Sequence, residues 1–144
     1  IDKVAILNGA GEETVRFSTD DSMVVEIYYH TLKELESMDC YIGISTEDNL
    51  PITLINAMGQ GADFGQVPER GKIVARFEPL LLSEGRYCLS MAINPEGDPL
   101  RPYDSHMRLY HFTVTSEREG RMRVAVQLPV KFELREGNAG DGAG

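Results

Sequence analysis

The chain has 144 residues, of which 42% are hydrophobic and 26% charged, a balance that excludes disorder as the dominant state and lets one core form without a metal or disulfide staple. Fourteen basic against twenty-three acidic side chains leave a formal charge of -9, so the surface repels phosphate backbones and anionic lipid, which argues against nucleic-acid and membrane partners. No apolar run approaches the roughly 20 residues that span a bilayer, and residues 1–7 lack the basic flank of a signal peptide, so a soluble domain is expected.

Period-two alternation in short runs separated by turn residues dominates the chain and predicts strands. Residues 3–7 read as the first, ended by Asn8, Gly9 and Gly11, and residues 14–18 as a short second, closed by Asp20 and Asp21. Residues 23–31 are the clearest run: Met23, Val25, Ile27 and Tyr29 share one face, and Val24, Glu26, Tyr28 and His30 the other. Residues 32–38 are the one stretch whose spacing suits a turn or two of helix, and they are few enough to be a loop. The run 40–46 places Cys40, Ile42 and Ile44 inward and Tyr41, Gly43 and Ser45 outward, before a turn at Glu47, Asp48 and Asn49. Residues 52–56 read as a strand, and the glycine-rich stretch 59–71 as a loop.

Alternation resumes over 72–78, where Ile73, Ala75 and Phe77 oppose Lys72, Val74 and Arg76. After residues 80–82 and a turn at Ser83, Glu84 and Gly85, the run 86–93 puts Tyr87, Leu89, Met91 and Ile93 on one face. Residues 94–103 hold three prolines and a glycine, too many for regular structure. Residues 109–115 form a strand with Tyr110, Phe112 and Val114 inward, and the segment bounded by Met122 and Leu134 supplies one or two more, interrupted by Pro129. The domain is expected to fill residues 1–135, followed by a disordered glycine-rich tail at 136–144.

Seven to nine strands spaced about ten residues apart, without alternating helices, predict an all-β fold: an antiparallel sandwich of immunoglobulin-like or jelly-roll-like form. In the immunoglobulin order, 23–31 pairs with 72–78 in one sheet, while 40–46, 86–93 and 109–115 build the other. Cys40 alternates with the inward residues and Cys88 out of phase with them, so the two thiols point to different faces and are expected to stay unbridged.

Catalytic and metal chemistry find little support. The stretch from Gly65 to Lys72 superficially resembles a phosphate loop, but five residues instead of four separate Gly65 from Gly71, Pro68 removes a donor, and Ile73 stands where a magnesium-binding hydroxyl is needed. His106 and His111 are five apart, which on a strand puts them on opposite faces, and His30 is remote in sequence, so no metal site is expected. There is no nucleophile elbow, and with twenty-three acids chance carboxylate pairs are abundant and uninformative. A binding domain without cofactor is the expectation; an immunoglobulin-like protein-interaction module and a small glycan-active enzyme are its rivals.

The exposed faces offer two candidate surfaces. On the first, Tyr28 gives an apolar ring for sugar C–H faces, Glu26 and His30 hydroxyl partners, and Lys72 and Arg76 partners for an acidic group. The second, held in reserve, offers Tyr41, Ser90 and His111 among small neighbours such as Gly43, Ser45 and Ala92. Tyr103, Asp104, His106 and Arg108 lie in and just after the proline-rich loop, where binding residues often sit, although Asp104 suits a turn cap.

In order along the chain, M-V-V-E-I-Y-Y at 23–29, Y-I-G-I-S-T-E-D at 41–48, L-L-L-S-E-G-R-Y-C-L-S-M-A-I at 80–93, R-P-Y-D at 101–104 and Y-H-F-T-V at 110–114 resemble the C-terminal domain of Wzt, the ATP-binding subunit of exporters of O-antigen polysaccharide. The likeness spans about residues 4–134. It implies an immunoglobulin-type sandwich that recognises the finished end of a glycan in the cytoplasm, at the inner membrane. It also implies a partner ATPase domain and permease, and a homodimer in which the strand at 122–134 is exchanged. The chain departs from the family's Asn-Thr pattern at Ile55, Asn56 and Ala57, and it has no tryptophan, so any stacking ring must be tyrosine or phenylalanine.

Overall fold

In the computed structural model, which describes residues 1–115, the alternating runs become eight strands. They are β1 (Lys3–Asn8), β2 (Arg16–Ser18), β3 (Met23–His30), β4 (Asp39–Thr46), β5 (Pro51–Asn56), β6 (Arg70–Phe77), β7 (Gly85–Asn94) and β8 (Asp104–Thr115). Two sheets result, one in the order β1-β3-β6 and the other in the order β2-β8-β7-β4-β5. All pairings are antiparallel except that of β2 with β8. The expected pairing of β3 with β6, and of β4, β7 and β8 in the second sheet, is what forms.

The inward residues of both sheets make one core. Met23, Val25, Ile27, Tyr29 and Ile73 come from the three-stranded sheet, and Cys40, Ile42, Ile44, Tyr87, Leu89, Met91, Ile93, Phe112 and Val114 from the five-stranded one. Each fully buried aliphatic or aromatic side chain contributes about 1.5–3 kcal/mol, whereas an exposed ion pair contributes roughly 0–1. The phase of the alternation therefore sets the register, since a slip of one residue would turn the whole apolar set to water. Phe112 closes one end of this layer, stacked on Tyr87 at 5.4 Å and edge-on to Phe17 at 6.1 Å. Cys40 faces this core and Cys88 the opposite side of the same sheet, and both thiols are free.

Several elements differ from expectation. Residues 32–38 form bends without a helix, and a single 3-10 turn appears instead at Met58–Gln60. That turn is anchored by Asp39, only 1% exposed, whose carboxylate accepts from the Met58 amide at 3.1 Å and from Asn56 Nδ2 at 2.9 Å. Asn56 thus has a structural partner despite the missing threonine. Val24, read as outward, is buried between its register partners Leu7 and Arg76. The second strand is only Arg16–Ser18, whereas β8 starts at Asp104, five residues before the expected 109. There Met91 pairs with His106 and Leu89 with Tyr110, so Met107, Arg108 and Leu109 all stand opposite Ser90. This bulge breaks the alternation that would have marked the strand. The strands expected over 122–134 and the tail at 136–144 lie outside the described residues.

Gly71 is required by a close approach: a Cβ there would lie 2.6 Å from the Tyr29 hydroxyl and 2.8 Å from its ring. Tyr29 cannot swing away, since it is buried and its hydroxyl donates to the Pro68 carbonyl at 3.2 Å. Gly71→Ala should lower stability by about 1–3 kcal/mol, read as a fall in the thermal unfolding midpoint; an unchanged midpoint would contradict this packing.

Candidate functional site

Because inward and outward residues alternate, each sheet has an outer face whose side chains the core does not use. On the three-stranded sheet, Lys3, Tyr28 and Lys72 lie side by side across β1, β3 and β6. The ammonium groups of Lys3 and Lys72 stand over the Tyr28 ring at 5.6 and 5.8 Å from its centroid. Lys72 Nζ lies 3.0 Å from Glu26 Oε2, and the Tyr28 hydroxyl donates to Glu26 Oε1 at 3.2 Å. Glu26, Tyr28 and Lys72 are thus brought together, mostly with one another as partners.

The remaining members of that first set sit apart from the trio. Arg76 is beside Val24, 4.0 Å from Glu78. His30 ends β3, and its Nδ1 meets Asp2 at 2.6 Å. The Lys72 hydrogen bond, opposed by partial desolvation, holds the Glu26 carboxyl below the ordinary glutamate range, and the same bond raises Lys72.

The outer face of the five-stranded sheet is built differently. Gly43 pairs with Ser90, Tyr41 with Ala92 and Cys88 with His111, so Tyr41, Ser90 and His111 are spread along one strip. From the level of Ala92 to that of Cys88 is four residues of β7, roughly 13 Å at strand rise, longer than one sugar ring. The floor is low: a Cβ on Gly43 would meet only Leu54 Cδ1 at 3.7 Å, the Thr53 carbonyl at 3.8 Å and Ser90 Cβ at 3.9 Å. Leu54, Met107 and Leu109 are exposed at 71%, 65% and 62%, leaving apolar surface open to a partner. His111 Nδ1 lies 3.4 Å from Cys88 Sγ, and Cys88 is 1% exposed.

Arg108, expected just after the proline-rich loop, belongs to this face. In strict alternation it would point inward with His106 and Tyr110, but its φ of 58° is left-handed and its guanidinium reaches Ser45 Oγ at 2.9 Å and Asn49 Oδ1 at 2.8 Å. The bulge re-aims the side chain, a use of such irregularities known near binding sites. Nothing in the local sequence announces it, because a positive φ at arginine is set by tertiary context.

Residues 65–69 run as a loop into the strand Arg70–Phe77, the reverse of a phosphate loop's passage into a helix. Burial pushes the Cys40 thiol up to about 12, so it stays protonated at neutral pH. His106 lies opposite Met91 and His111 opposite Cys88, hence on opposite faces.

The Glu26 pairing has a measurable consequence. A carboxylate depressed in the folded state contributes stability above its ordinary range and loses it as pH falls through the depressed value, whereas raised Lys72 contributes below the ordinary lysine range and loses it as pH rises through the folded value. The pair therefore holds between those two titrations. Carboxyl ¹³C NMR should show Glu26 titrating below an ordinary glutamate, and Lys72→Met should return it upward; a Glu26 midpoint indifferent to Lys72 would contradict the pairing.

Comparison with known proteins agrees with this architecture. A solved structure described as the crystal structure of the C-terminal domain of Wzt superposes with a TM-score of 0.78 at 18% identity, over 94% of this chain and 83% of that one, which establishes the shared fold. No curated protein matches the sequence. The model of the Wzt C-terminal domain family matches residues 1–126, and the chain belongs to that family.

Proposed function

We propose that this domain binds the polysaccharide cargo of an O-antigen-type ABC exporter, and that the glycan lies on the outer face of the five-stranded sheet along Tyr41, Ser90 and His111. Family membership supports the cargo class. The choice of face rests on one observation, the low strip of Gly43, Ser90 and Ala92 flanked by exposed apolar side chains. A pyranose can lie on such a floor, with its C–H face against the Tyr41 ring and its hydroxyls meeting Ser90 and His111. No intramolecular hydrogen bond engages the Tyr41 hydroxyl among the described residues, in contrast to Tyr28, whose hydroxyl is bonded to Glu26.

On this reading the first set, Glu26, Tyr28, His30, Lys72 and Arg76, forms a self-paired surface, and its cations are largely engaged with acids. The domain has no catalytic role; ATP hydrolysis and translocation belong to an ATPase domain and a permease on the cytoplasmic side of the inner membrane. A homodimer that exchanges the strand at 122–134 belongs to the same reading.

Isothermal titration with the cognate polysaccharide tests the face. Tyr41→Ala should weaken binding about tenfold, near 1.4 kcal/mol, while Tyr28→Ala leaves it unchanged. The reverse pattern would move the site to the three-stranded sheet, and turnover of the glycan by the isolated domain would refute a pure binding role.

A further inference from the structure

We infer that Arg108 is the anion-reading group of this face, and that the glycan bound there carries a carboxylate or phosphate substituent. The inference rests on the preceding assignment of the five-stranded outer face. Among the described residues Arg108 is the one arginine whose guanidinium is held by hydrogen bonds, and every acceptor is neutral. Nη1 donates to Ser45 Oγ at 2.9 Å and Asn49 Oδ1 at 2.8 Å, and Nη2 to the Glu47 carbonyl at 3.0 Å. These contacts fix the plane of the group and leave Nε–H and one Nη2–H without an acceptor among the described residues. Unused N–H donors on a fixed guanidinium can make charge-assisted hydrogen bonds to the oxygens of a carboxylate or phosphate.

The backbone carries a cost for this placement. A left-handed φ is disfavoured at a non-glycine residue, and it is held here by the Arg108 amide donating to Ser90 Oγ at 2.8 Å. Strain retained to aim a side chain outward points to use of that side chain. Several other cations are matched with acids, Lys72 with Glu26 at 3.0 Å, Lys3 with Glu13 at 3.8 Å and Arg86 with Glu47 at 3.8 Å. No carboxylate forms an ion pair with Arg108 among the described residues. Asp48 shares the neighbouring turn, but it accepts from the Thr46 hydroxyl, and Arg108 is the least of the influences on its ionisation. In a chain of charge -9, the counter-charge for this hydrogen-bonded, half-buried guanidinium is left for a ligand to bring.

The test follows the Arg108 Nε–H signal and the Gly43 and Ser90 amides in the ¹⁵N-labelled full chain, titrated separately with glucuronate, glucose 6-phosphate, glucose, acetate and inorganic phosphate. The expected result is that at least one acidic sugar moves all three signals about tenfold more tightly than glucose, with the responding arm distinguishing carboxylate from phosphate. Asp48→Asn, which removes a nearby negative charge, should tighten that binding several-fold, and Arg108→Gln should abolish the preference. If Arg108→Gln fails to fold, the wild-type signal and Asp48→Asn still decide. Glucose and acidic sugars moving Gly43 and Ser90 alike, with Arg108 still, would overturn this inference and leave the face standing. Acetate or inorganic phosphate acting as strongly as the acidic sugars would reduce the site to an adventitious anion contact and overturn it too. Silence of all three signals would overturn both readings.

Discussion

The layer of side chains shared by the two sheets is the constraint from which the remaining features follow. Met23, Val25, Ile27 and Ile73 meet Ile42, Ile44, Leu89 and Met91 there, all 7% exposed or less. Because side chains alternate along a strand, fixing this layer also fixes which residues are left outside. Tyr41, Gly43 and Ser90 face outward because Ile42, Ile44, Leu89 and Met91 must face inward. The outer faces are the complement of the core, and their composition is then open to serve binding.

The two faces use that freedom in opposite ways. On the three-stranded sheet, Lys3 and Lys72 stand over Tyr28 while Glu26 engages both Lys72 and Tyr28, so much of the polar capacity is spent within the face. On the five-stranded sheet the centre is glycine, serine and alanine, and the Arg108 guanidinium is held by uncharged acceptors. A sugar needs flat apolar contact and directional donors and acceptors at once. The second face keeps both available, and its bulge shows how a break in regular pairing can place a cation where alternation alone would not.

Much of this was legible in the residues. The alternation of Met23 to Tyr29, of Cys40 to Ile44 and of Tyr87 to Ile93 identifies inward and outward positions directly, and the pairing of β3 with β6 follows from an immunoglobulin-like order. The start of β8 was not legible, because Met107, Arg108 and Leu109 crowd opposite Ser90 and erase the period-two pattern. The role of Asp39 was hidden for a different reason: its partners Asn56 and Met58 are distant in sequence and meet it only through the fold. The candidate residues were readable as members of faces, whereas the capture of Tyr28 between two lysines and of Arg108 by the β4–β5 turn depends on cross-strand neighbours that a single sequence does not display.

The most direct test of where glycan is held is a crystal structure of the full chain soaked or co-crystallised with a defined oligosaccharide of the exporter's own cargo. The account predicts sugar density over Gly43 and Ser90, with a ring against Tyr41. Density seated instead on Tyr28, between β1 and β6, would contradict it.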